Sequence, residues 1–443
     1  MKVIIIGTGP AGTLTAIELR KLSKECEIAI IGKTQNTMFS PCSLPYLIGG
    51  ELKAPEEAVV MKEQDYKALN IQLMLSTEVK SIDTENKTLT ASRQGKELKL
   101  SYDKLVLATG STPAIPPIPG LDTLPRTCLK TIQDAEKILL YAKPGEEIAV
   151  IGAGLIGTEV AAELRKKGAE VHLIEAKDRI LPTIFDANMA RHASAHLKEK
   201  GIHIHESTLA KKIENKKLIL EDKENKETHI NPSLIILAVG VSPSTSLAES
   251  SGIQASRFGI KVDEYLETSA KDVYACGDCT ESTHLLLNKP FSPFTATAAE
   301  KQARAVASTL AGKKKELTGI INPVISKAGD MHIGSAGLLR EQAEDSVEAV
   351  FTSTTKSGHF PGAKPIHVKI IASQDSTIIG AQVAGMEETA PRLNLLAFAI
   401  QSRVKLSQLA EAEFAYNPAL SPLKEPISIA ARTALAKLER LKR

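Results

Sequence analysis

Two segments of the 443-residue chain share one pattern, in which a short apolar run leads through a glycine turn into a helix-like stretch. The first joins residues 3–6 to a helical pattern over residues 14–22, and the second joins residues 148–151 to a helical pattern ending at residue 164. Their glycines are Gly7, Gly9, Gly12, Gly152, Gly154 and Gly157. In each turn the first glycine permits a tight bend, the second lets a pyrophosphate approach the backbone, and the third lets the helix pack on the strand. The sequence therefore predicts two dinucleotide-binding units in one α/β chain.

An acidic residue follows the second unit at the place where a nucleotide ribose would lie. The strand pattern of residues 171–174 ends at Glu175. This is roughly 20 residues beyond the glycines, where a carboxylate can bond both ribose hydroxyls of NADH. A solvated surface glutamate is the alternative, and Lys177 and Arg179 keep NADPH open as the nucleotide. Two sites also imply two cofactors, because hydride leaving a nicotinamide must pass to a group that holds electrons, usually a flavin.

Composition narrows the class of protein. Two or three domains are expected for this length. The net charge of +3, with no dense basic block, argues against nucleic-acid binding. The first residues carry one cation and an apolar run too short for a signal peptide or a membrane span, so a cytoplasmic protein is expected. Five unevenly spaced cysteines argue against the disulfide framework of an exported protein.

Three further segments, LVLATGSTP at 105–113, IILAVG at 235–240 and DVYACGDC at 272–279, resemble the pyridine nucleotide-disulfide oxidoreductases. The resemblance implies an α/β fold with two Rossmann-like domains, one for FAD and one for NAD(P), and a C-terminal α+β dimerisation domain. It places the FAD domain at residues 1–111 and 236–314, the NAD(P) domain at 112–235 and the dimerisation domain at 315–443. The first two segments are then crossings between the nucleotide domains.

The same resemblance implies the residues that contact the cofactors. In the family the aspartate of the Gly-Asp motif holds the ribityl chain of FAD, and Asp278 is the matching residue. Gly32 stands where most relatives have an acidic residue, so Lys33 is expected to meet phosphate or ribose instead. The expected FAD contacts are Gly7, Gly9, Pro10, Ala11, Gly12, Lys33, Val79, Ala108, Thr109, Gly110, Asp278 and Ala296. The expected NAD(P) contacts are Gly152, Gly154, Leu155, Ile156, Gly157, Glu175 and Gly240.

Residues 39–50, FSPCSLPYLIGG, resemble the active-site segment of coenzyme A disulfide reductases and the related NADH oxidases and peroxidases, which use a single cysteine. The resemblance implies that Cys42 is the redox-active residue and lies beside the flavin. A thiolate is the attacking form, and a helix start near Leu44 would favour it. The expected cycle passes electrons from NAD(P)H through FAD to a mixed disulfide at Cys42, with Ser40 and Ser43 contacting the substrate. An inert buried cysteine is the alternative.

Two C-terminal segments and one basic cluster extend the resemblance. Residues 358–384 resemble the family's dimerisation domain, and residues 415–422 resemble the tyrosine-bearing segment that reaches the partner subunit's active site in coenzyme A disulfide reductases. A homodimer with shared active sites is implied, in which Tyr416 orients or protonates the leaving sulfur. A packed loop aromatic is the alternative for Tyr416. For Arg20 and Lys21 the alternatives are contact with the ligand's phosphates and a solvated helix end.

Other positions depart from the family's pattern and leave the electron acceptor open. Pro10 stands where NADH peroxidases and oxidases carry a histidine that stabilises a cysteine sulfenic acid, which argues against peroxide chemistry. Pro41 replaces an asparagine common in coenzyme A disulfide reductases, and Phe360 stands where some relatives have a tyrosine. A coenzyme A disulfide, a persulfide, a polysulfide or another small disulfide is expected as substrate. The alternatives are an NADH oxidase with a Cys42 sulfenic acid and a flavoprotein that reduces an electron-transfer partner.

The remaining cysteines and the histidines are predicted to be structural. Cys276 and Cys279 lack the second cysteine pair or histidine partner of a metal site. Four histidines of the predicted NAD(P) domain match no ligand spacing, so packing or surface roles are expected. They are His192, His196, His203 and His205. No metal site and no nucleic-acid or membrane partner is predicted.

Overall fold

A computed structural model describes residues 1–441, which form two compact units assembled from separate stretches of the chain. The first unit comprises Met1–Leu47, Leu52–Ala114 and Val241–Asn322. The second comprises Ile48–Glu51, Ile115–Gly240 and the chain from Pro323 onward. Among the residues described, none of the helices has the length and apolar character needed to cross a bilayer.

The first unit is built on a five-stranded parallel sheet. Its strands are short apolar runs whose side chains are buried on both faces, one face packed against helices and the other mainly against antiparallel strands. In spatial order the strands are Val273–Ala275, Lys104–Leu107, Lys2–Ile6, Glu27–Ile31 and Ile71–Met74. A three-stranded antiparallel sheet follows in the chain, with strands Thr77–Asp83, Thr88–Arg93 and Lys96–Ser101.

Helices and small strand pairs complete the first unit. The helix Pro10–Leu22 packs against the helix Ala296–Leu310, and alanines on both helices allow a close approach. Shorter helices span Glu63–Ala68 and Ser246–Glu249, and the helix Leu44–Gly49 follows a 3-10 turn at Pro41–Ser43. Small strand pairs join Ser111–Pro113 to Val241–Pro243, Ala255–Ser256 to Gly259–Ile260, and Ser282–Thr283 to Pro290–Phe291.

The second unit repeats this architecture and adds a further sheet. Its parallel sheet has the order His203–His205, Glu170–Ile174, Glu147–Ile151, Leu234–Leu237 and Arg126–Thr127. An antiparallel sheet of Thr208–Glu214, Lys217–Asp222 and Glu227–Ile230 packs its apolar side against one face of the parallel sheet. The helices of this part are Ile132–Leu139, Leu155–Lys166 and Ala187–Glu199.

The C-terminal part of the second unit is a five-stranded antiparallel sheet with helices. The strand order is Val324–Ala328, Met331–Gly337, Ile378–Gly385, Pro365–Ala372 and Val347–Thr354. The helices are Thr389–Gln401, Leu406–Ala410 and Pro426–Leu441. The predicted fold class is confirmed, since two Rossmann-like sheets precede an α+β segment. The predicted boundaries between the three domains stay a prediction.

Candidate active site

The first glycine turn connects the strand Lys2–Ile6 to the helix Pro10–Leu22. Gly7 has a φ of 124°, and a Cβ there would lie 2.0 Å from the carbonyl oxygen of Ala108. A Cβ at Gly12 would lie 2.1 Å from the carbonyl oxygen of Gly7. At Gly9, by contrast, a Cβ would meet no atom of the described chain within 4 Å, its sequence neighbours aside. Close packing therefore fixes the two outer glycines, and the middle one faces open space at a helix N-terminus, where a pyrophosphate can approach.

The Gly-Asp motif packs directly against this turn. Gly277 has a φ of 83°, and a Cβ there would lie 2.6 Å from the Cβ of Ala11. The side chain of Gln302, which is fully buried, fixes the motif from the other side. Its Oε1 accepts a hydrogen bond from the Gly277 N–H at 2.6 Å, and its Nε2 donates to the Ser282 hydroxyl at 2.8 Å. Asp278 is thus held beside the first glycine turn.

The segment after the strand Lys104–Leu107 reaches the same place. The Ser111 hydroxyl donates to Oδ2 of Asp278 at 2.7 Å. The Thr109 hydroxyl donates to the carbonyl oxygen of Ser244 at 2.7 Å, and Gly110 has a φ of 73°. The structure therefore brings together the first glycine turn, residues 108–111 and Asp278, which lie far apart in the chain.

Gly32 follows the strand Glu27–Ile31, and the space beside it is filled by another side chain. A Cβ at Gly32 would lie 2.6 Å from Cγ2 of Thr8, so the threonine occupies the adjacent space. The Nζ of Lys33 lies 2.8 Å from Oε1 of Glu78. Hydrogen bonds from Lys33 and then Lys80 hold the pKa of Glu78 at about 2, so this carboxylate is ionised. The predicted contact of Lys33 with FAD would compete with Glu78, and Val79 is the next residue of that strand.

The second glycine turn repeats the geometry of the first. Gly152 has a φ of 98°, and a Cβ there would lie 2.5 Å from the carbonyl oxygen of Ala238. A Cβ at Gly157 would lie 1.9 Å from the carbonyl oxygen of Gly152. Gly154, which precedes the helix Leu155–Lys166, again faces open space within the described chain. In both turns, therefore, the first and third glycines are closely packed and the second faces open space.

Glu175 is buried one residue beyond its strand and faces the second glycine turn. Its Oε2 accepts a hydrogen bond from the Ala153 N–H and its Oε1 accepts one from the Lys177 N–H, both at 2.9 Å. A solvated surface glutamate would not be held in this way. Arg179 lies 3.1 Å from Glu341, so its charge is already paired and is less suited to a 2′-phosphate. The contact of Glu175 with a ribose stays a prediction that this geometry supports.

Cys42 lies in the 3-10 turn Pro41–Ser43 and has an exposed side chain. The alternative of an inert buried cysteine is therefore wrong. No disulfide joins any of the five cysteines, all of which the structure describes, and Cys26, Cys276 and Cys279 are buried. Burial raises the pKa of Cys276 to about 12 and also raises that of the half-buried Cys128. Cys42 is thus the cysteine that a substrate can reach, and Cys276 and Cys279 pack in the core as predicted.

A cavity of about 480 Å³ lies beside the cysteine segment. Ser40 lines it from that segment, Pro10 and Leu14 line it from the first glycine turn and its helix, and Ala296 lines it from the start of the helix Ala296–Leu310. Met38 and Val60 add apolar walls. The predicted substrate contact Ser40 and the predicted FAD contacts Pro10 and Ala296 therefore share one cavity.

The basic cluster is largely occupied with structural contacts. The guanidinium of Arg20 donates to the carbonyl oxygens of Leu69, Asn70 and Lys24 at 2.9, 2.8 and 2.6 Å. It thereby ties the end of the first helix to a neighbouring loop. Lys21 is exposed and pairs with Glu18 at 2.6 Å. Phosphate contact by these two residues stays a prediction, and the carbonyl contacts of Arg20 differ from the solvated helix end given as the alternative.

Tyr416 lies in the loop before the helix Pro426–Leu441, with 47% of its surface exposed. Leu420 and Leu423, in the same loop, are 72% and 74% exposed. The alternative of an aromatic packed within its own chain is therefore wrong. An exposed tyrosine among exposed leucines is the composition of a surface that another chain covers.

The histidines occupy separate environments. His192 stacks on His367, with ring centroids 3.7 Å apart, and His196 pairs with Asp330 at 2.5 Å. His203 and His205 meet His172, a residue that the sequence interpretation did not single out. Its contact with them could have been predicted from the alternation of His203 and His205 on a strand that pairs with the strand of His172.

The family is decided by comparison with known proteins. The model of the pyridine nucleotide-disulfide oxidoreductases matches residues 1–303, and the model of the family's dimerisation domain matches residues 326–426. The chain belongs to this family. It is therefore a flavoprotein oxidoreductase with a C-terminal dimerisation domain, and the family's cofactors are FAD and NAD(P)H.

Relatives of this oxidoreductase match it over nearly the whole length. An NADH oxidase of Methanocaldococcus jannaschii is 35% identical over 99% of both chains. A CoA-dependent NAD(P)H sulfur oxidoreductase of Pyrococcus furiosus is 30% identical over 97% of this chain and 98% of its own. The solved structure of a NAD-dependent persulfide reductase from A. fulgidus superposes with a TM-score of 0.94 and 34% identity, covering all of this chain and 84% of its own.

The residues of this oxidoreductase fit FAD at the first glycine turn. The open space at Gly9 suits a pyrophosphate, and Asp278 is held beside the turn with an oxygen that accepts from Ser111. The sequence interpretation missed two supporting residues. Gln302 clamps the Gly-Asp motif, and Thr8 fills the space beside Gly32. Neither belongs to a short motif, because each acts through a contact with a distant segment.

Proposed function

We propose that the chain reduces a small sulfur compound with electrons from NAD(P)H, using FAD and Cys42. A persulfide, a polysulfide or a disulfide of the coenzyme A type is the substrate class. One observation carries the proposal: Cys42 is exposed, and Ser40 of its segment shares a cavity with Pro10 of the first glycine turn. A sulfur substrate in that cavity would lie next to both the cysteine segment and the expected flavin site. The Pyrococcus sulfur oxidoreductase and the A. fulgidus persulfide reductase support the same class.

The chemistry balances with Cys42 as the one redox-active thiol. Its thiolate attacks a sulfur of the substrate, the sulfur-sulfur bond breaks, one thiolate leaves, and a mixed disulfide forms at Cys42. Two electrons from NAD(P)H then cleave the mixed disulfide, which releases the second thiol and regenerates the Cys42 thiolate. FAD, when bound, supplies the relay for these electrons between nicotinamide and sulfur. The two thiols take up one proton from solvent and the hydrogen that NAD(P)H delivered.

A homodimer with shared active sites is part of the proposal. Tyr416 is exposed in a loop with the exposed Leu420 and Leu423, and a phenol there can donate its proton to a leaving thiolate of the partner subunit's site. The family's dimerisation domain supports this arrangement. The protein would then be active only as a dimer.

The variant Cys42→Ser tests the proposal. Serine keeps the shape of the side chain but cannot form a mixed disulfide, so turnover of every sulfur acceptor should fall by at least about a thousandfold in kcat. Bound flavin, measured by absorbance, should be retained because the first glycine turn and Asp278 are unchanged. The acceptors are coenzyme A disulfide, coenzyme A persulfide, polysulfide and glutathione disulfide, each assayed by NADH oxidation without oxygen.

Cys128→Ser is the matched control, since Cys128 is half-buried and lies in the second unit. Its turnover should equal that of the wild type. Near wild-type sulfur reduction by Cys42→Ser would contradict the single-cysteine mechanism and favour reduction of an electron-transfer partner. Oxygen consumption that is faster than every sulfur turnover would favour an NADH oxidase, the activity for which the Methanocaldococcus relative is named.

A further inference from the structure

Three side chains that can bind a metal lie side by side at the edge of the second unit's parallel sheet. Glu170 and His172 alternate on the strand Glu170–Ile174 and therefore point to the same face. The parallel register pairs His172 with His203 on the edge strand His203–His205. One ligand atom from each of Glu170, His172 and His203 lies within 4.8 Å of the others. The fold thus assembles a histidine and carboxylate set from two strands.

The contacts in and beside this cluster are longer than hydrogen bonds. The Nε2 of His203 lies 3.7 Å from Oε1 of Glu170, and the Nε2 of His172 lies 3.5 Å from Oε1 of Glu147. Both exceed the roughly 2.7–3.2 Å of an N–H···O hydrogen bond. A tetrahedral ion with bonds of about 2.0–2.1 Å holds its ligand atoms roughly 3.3–3.4 Å apart. The His203 ring stacks on that of His172, with centroids 4.8 Å apart, so binding of one ion by both requires the half-exposed His203 ring to rotate out of this stack.

The orientation of His172 leaves its Nε2 directed at the carboxylates. Its other ring nitrogen, Nδ1, lies 3.0 Å from Nε2 of His205. A metal-binding histidine typically donates this second N–H to a neighbouring acceptor, which fixes its tautomer and ring plane. The contact with His205 can therefore fix the ring of His172 while its Nε2 stays directed at the carboxylates.

We propose that Glu170, His172 and His203 bind one divalent transition-metal ion of the zinc class, with Glu147 or water as the fourth ligand. Two imidazoles and a carboxylate are a ligand set that Zn²⁺ prefers over Mg²⁺ or Ca²⁺. His172 is 11% exposed, whereas His203 and Glu170 are 53% and 55% exposed, so the ion can enter from solvent. The site is separate from the redox chemistry and does not depend on the proposed function.

The ion would join the edge strand to its neighbour close to the nucleotide-binding residue. The carbonyl oxygen of His205 accepts a hydrogen bond from the Glu175 N–H at 2.9 Å. The edge strand His203–His205 has only three residues, so a metal link across it would restrict its fraying. The site thereby stabilises the part of the sheet that positions Glu175.

Zinc titration of the untagged holoenzyme tests this site. Isothermal titration with ZnCl2 should show saturable binding of one ion per chain, and Zn²⁺ should raise the melting temperature. X-ray absorption at the zinc edge should show nitrogen and oxygen neighbours without sulfur, which separates the site from coordination by Cys42. The variants His203→Gln and Glu170→Gln should each weaken the Kd at least about tenfold. Both side chains are more than half exposed, so these variants should fold normally.

His229→Gln is the matched control, because His229 is exposed on the neighbouring antiparallel sheet and faces Lys217. Its zinc affinity should equal that of the wild type, and Cys42→Ser should also keep it. The proposal is overturned if wild-type binding is not saturable at one ion per chain, if His203→Gln binds zinc as tightly as the wild type, or if sulfur appears in the first coordination shell.

Discussion

At the scale of single residues, the sequence predicted those whose role follows from backbone geometry. Gly7 and Gly152 have positive φ values and leave no room for a Cβ, so their place in the motif is physically required. Residues that act through distant contacts could not be predicted. Thr8 fills the space beside Gly32, and Gln302 clamps Gly277, yet neither contact has a signature in the surrounding sequence.

Glu175 allows a prediction about nucleotide choice. Its carboxylate is fixed by two backbone N–H groups, so its negative charge should repel the 2′-phosphate of NADPH by about 1–4 kcal/mol at contact distances. Glu175→Ala should lower the ratio of kcat/KM for NADH to that for NADPH by at least about tenfold. Steady-state kinetics with both nucleotides measures this ratio, in which any general loss of stability cancels. The control variant Asp178→Ala removes a neighbouring exposed charge and should leave the ratio unchanged. If Glu175→Ala also left the ratio unchanged, Glu175 would not be the residue that selects NADH over NADPH.

At the scale of elements, strands next to the glycine turns were predicted because apolar β-branched runs dominate them. The strands Lys2–Ile6 and Glu147–Ile151 extend the predicted runs by only one residue. The grouping of His172 with His203 was not predicted, because pairing of two parallel strands is set by the tertiary register and not by local sequence. The same holds for the buried charges that link the helix Ala187–Glu199 to the C-terminal sheet.

Lys369 is the centre of those buried charges. It is 1% exposed, and its Nζ lies 2.7 Å from Asp186 and 2.6 Å from Glu348. Lys369→Met should destabilise the protein by about 3–5 kcal/mol, because it leaves a buried carboxylate without a partner. Adding Asp186→Asn to that variant should recover part of the loss. Urea unfolding followed by far-UV circular dichroism measures both effects.

The neighbouring Lys364 provides the control for this prediction. Its side chain is 48% exposed and lies 4.0 Å from Glu387. Lys364→Met should therefore cost less than about 1 kcal/mol. Equal losses for Lys369→Met and Lys364→Met would mean that the buried ion pairs contribute no more than an exposed one.

At the scale of the whole molecule, the ordered series of motifs from the first glycine turn to the Gly-Asp segment identified the family and its cofactors. The first unit is discontinuous in the chain for a related reason. Residues 241–322 add a strand to the sheet formed by the N-terminal strands. The assembly depends instead on surfaces whose partner is another chain. The exposure of Tyr416 could not be predicted, because the sequence around it is equally compatible with a tyrosine packed inside its own chain.

Mixing two impaired variants tests whether active sites are shared between subunits. Tyr416→Phe removes the phenolic proton and should lower kcat, while Cys42→Ser removes the thiolate. In a mixed dimer one site would combine the intact Cys42 of one chain with the intact Tyr416 of the other. Random exchange at equal amounts gives about half mixed dimers with one intact site each, so activity should return to roughly a quarter of the wild type. If both residues served a site within their own chain, no intact site would form, and the mixture would be no more active than the average of its two components.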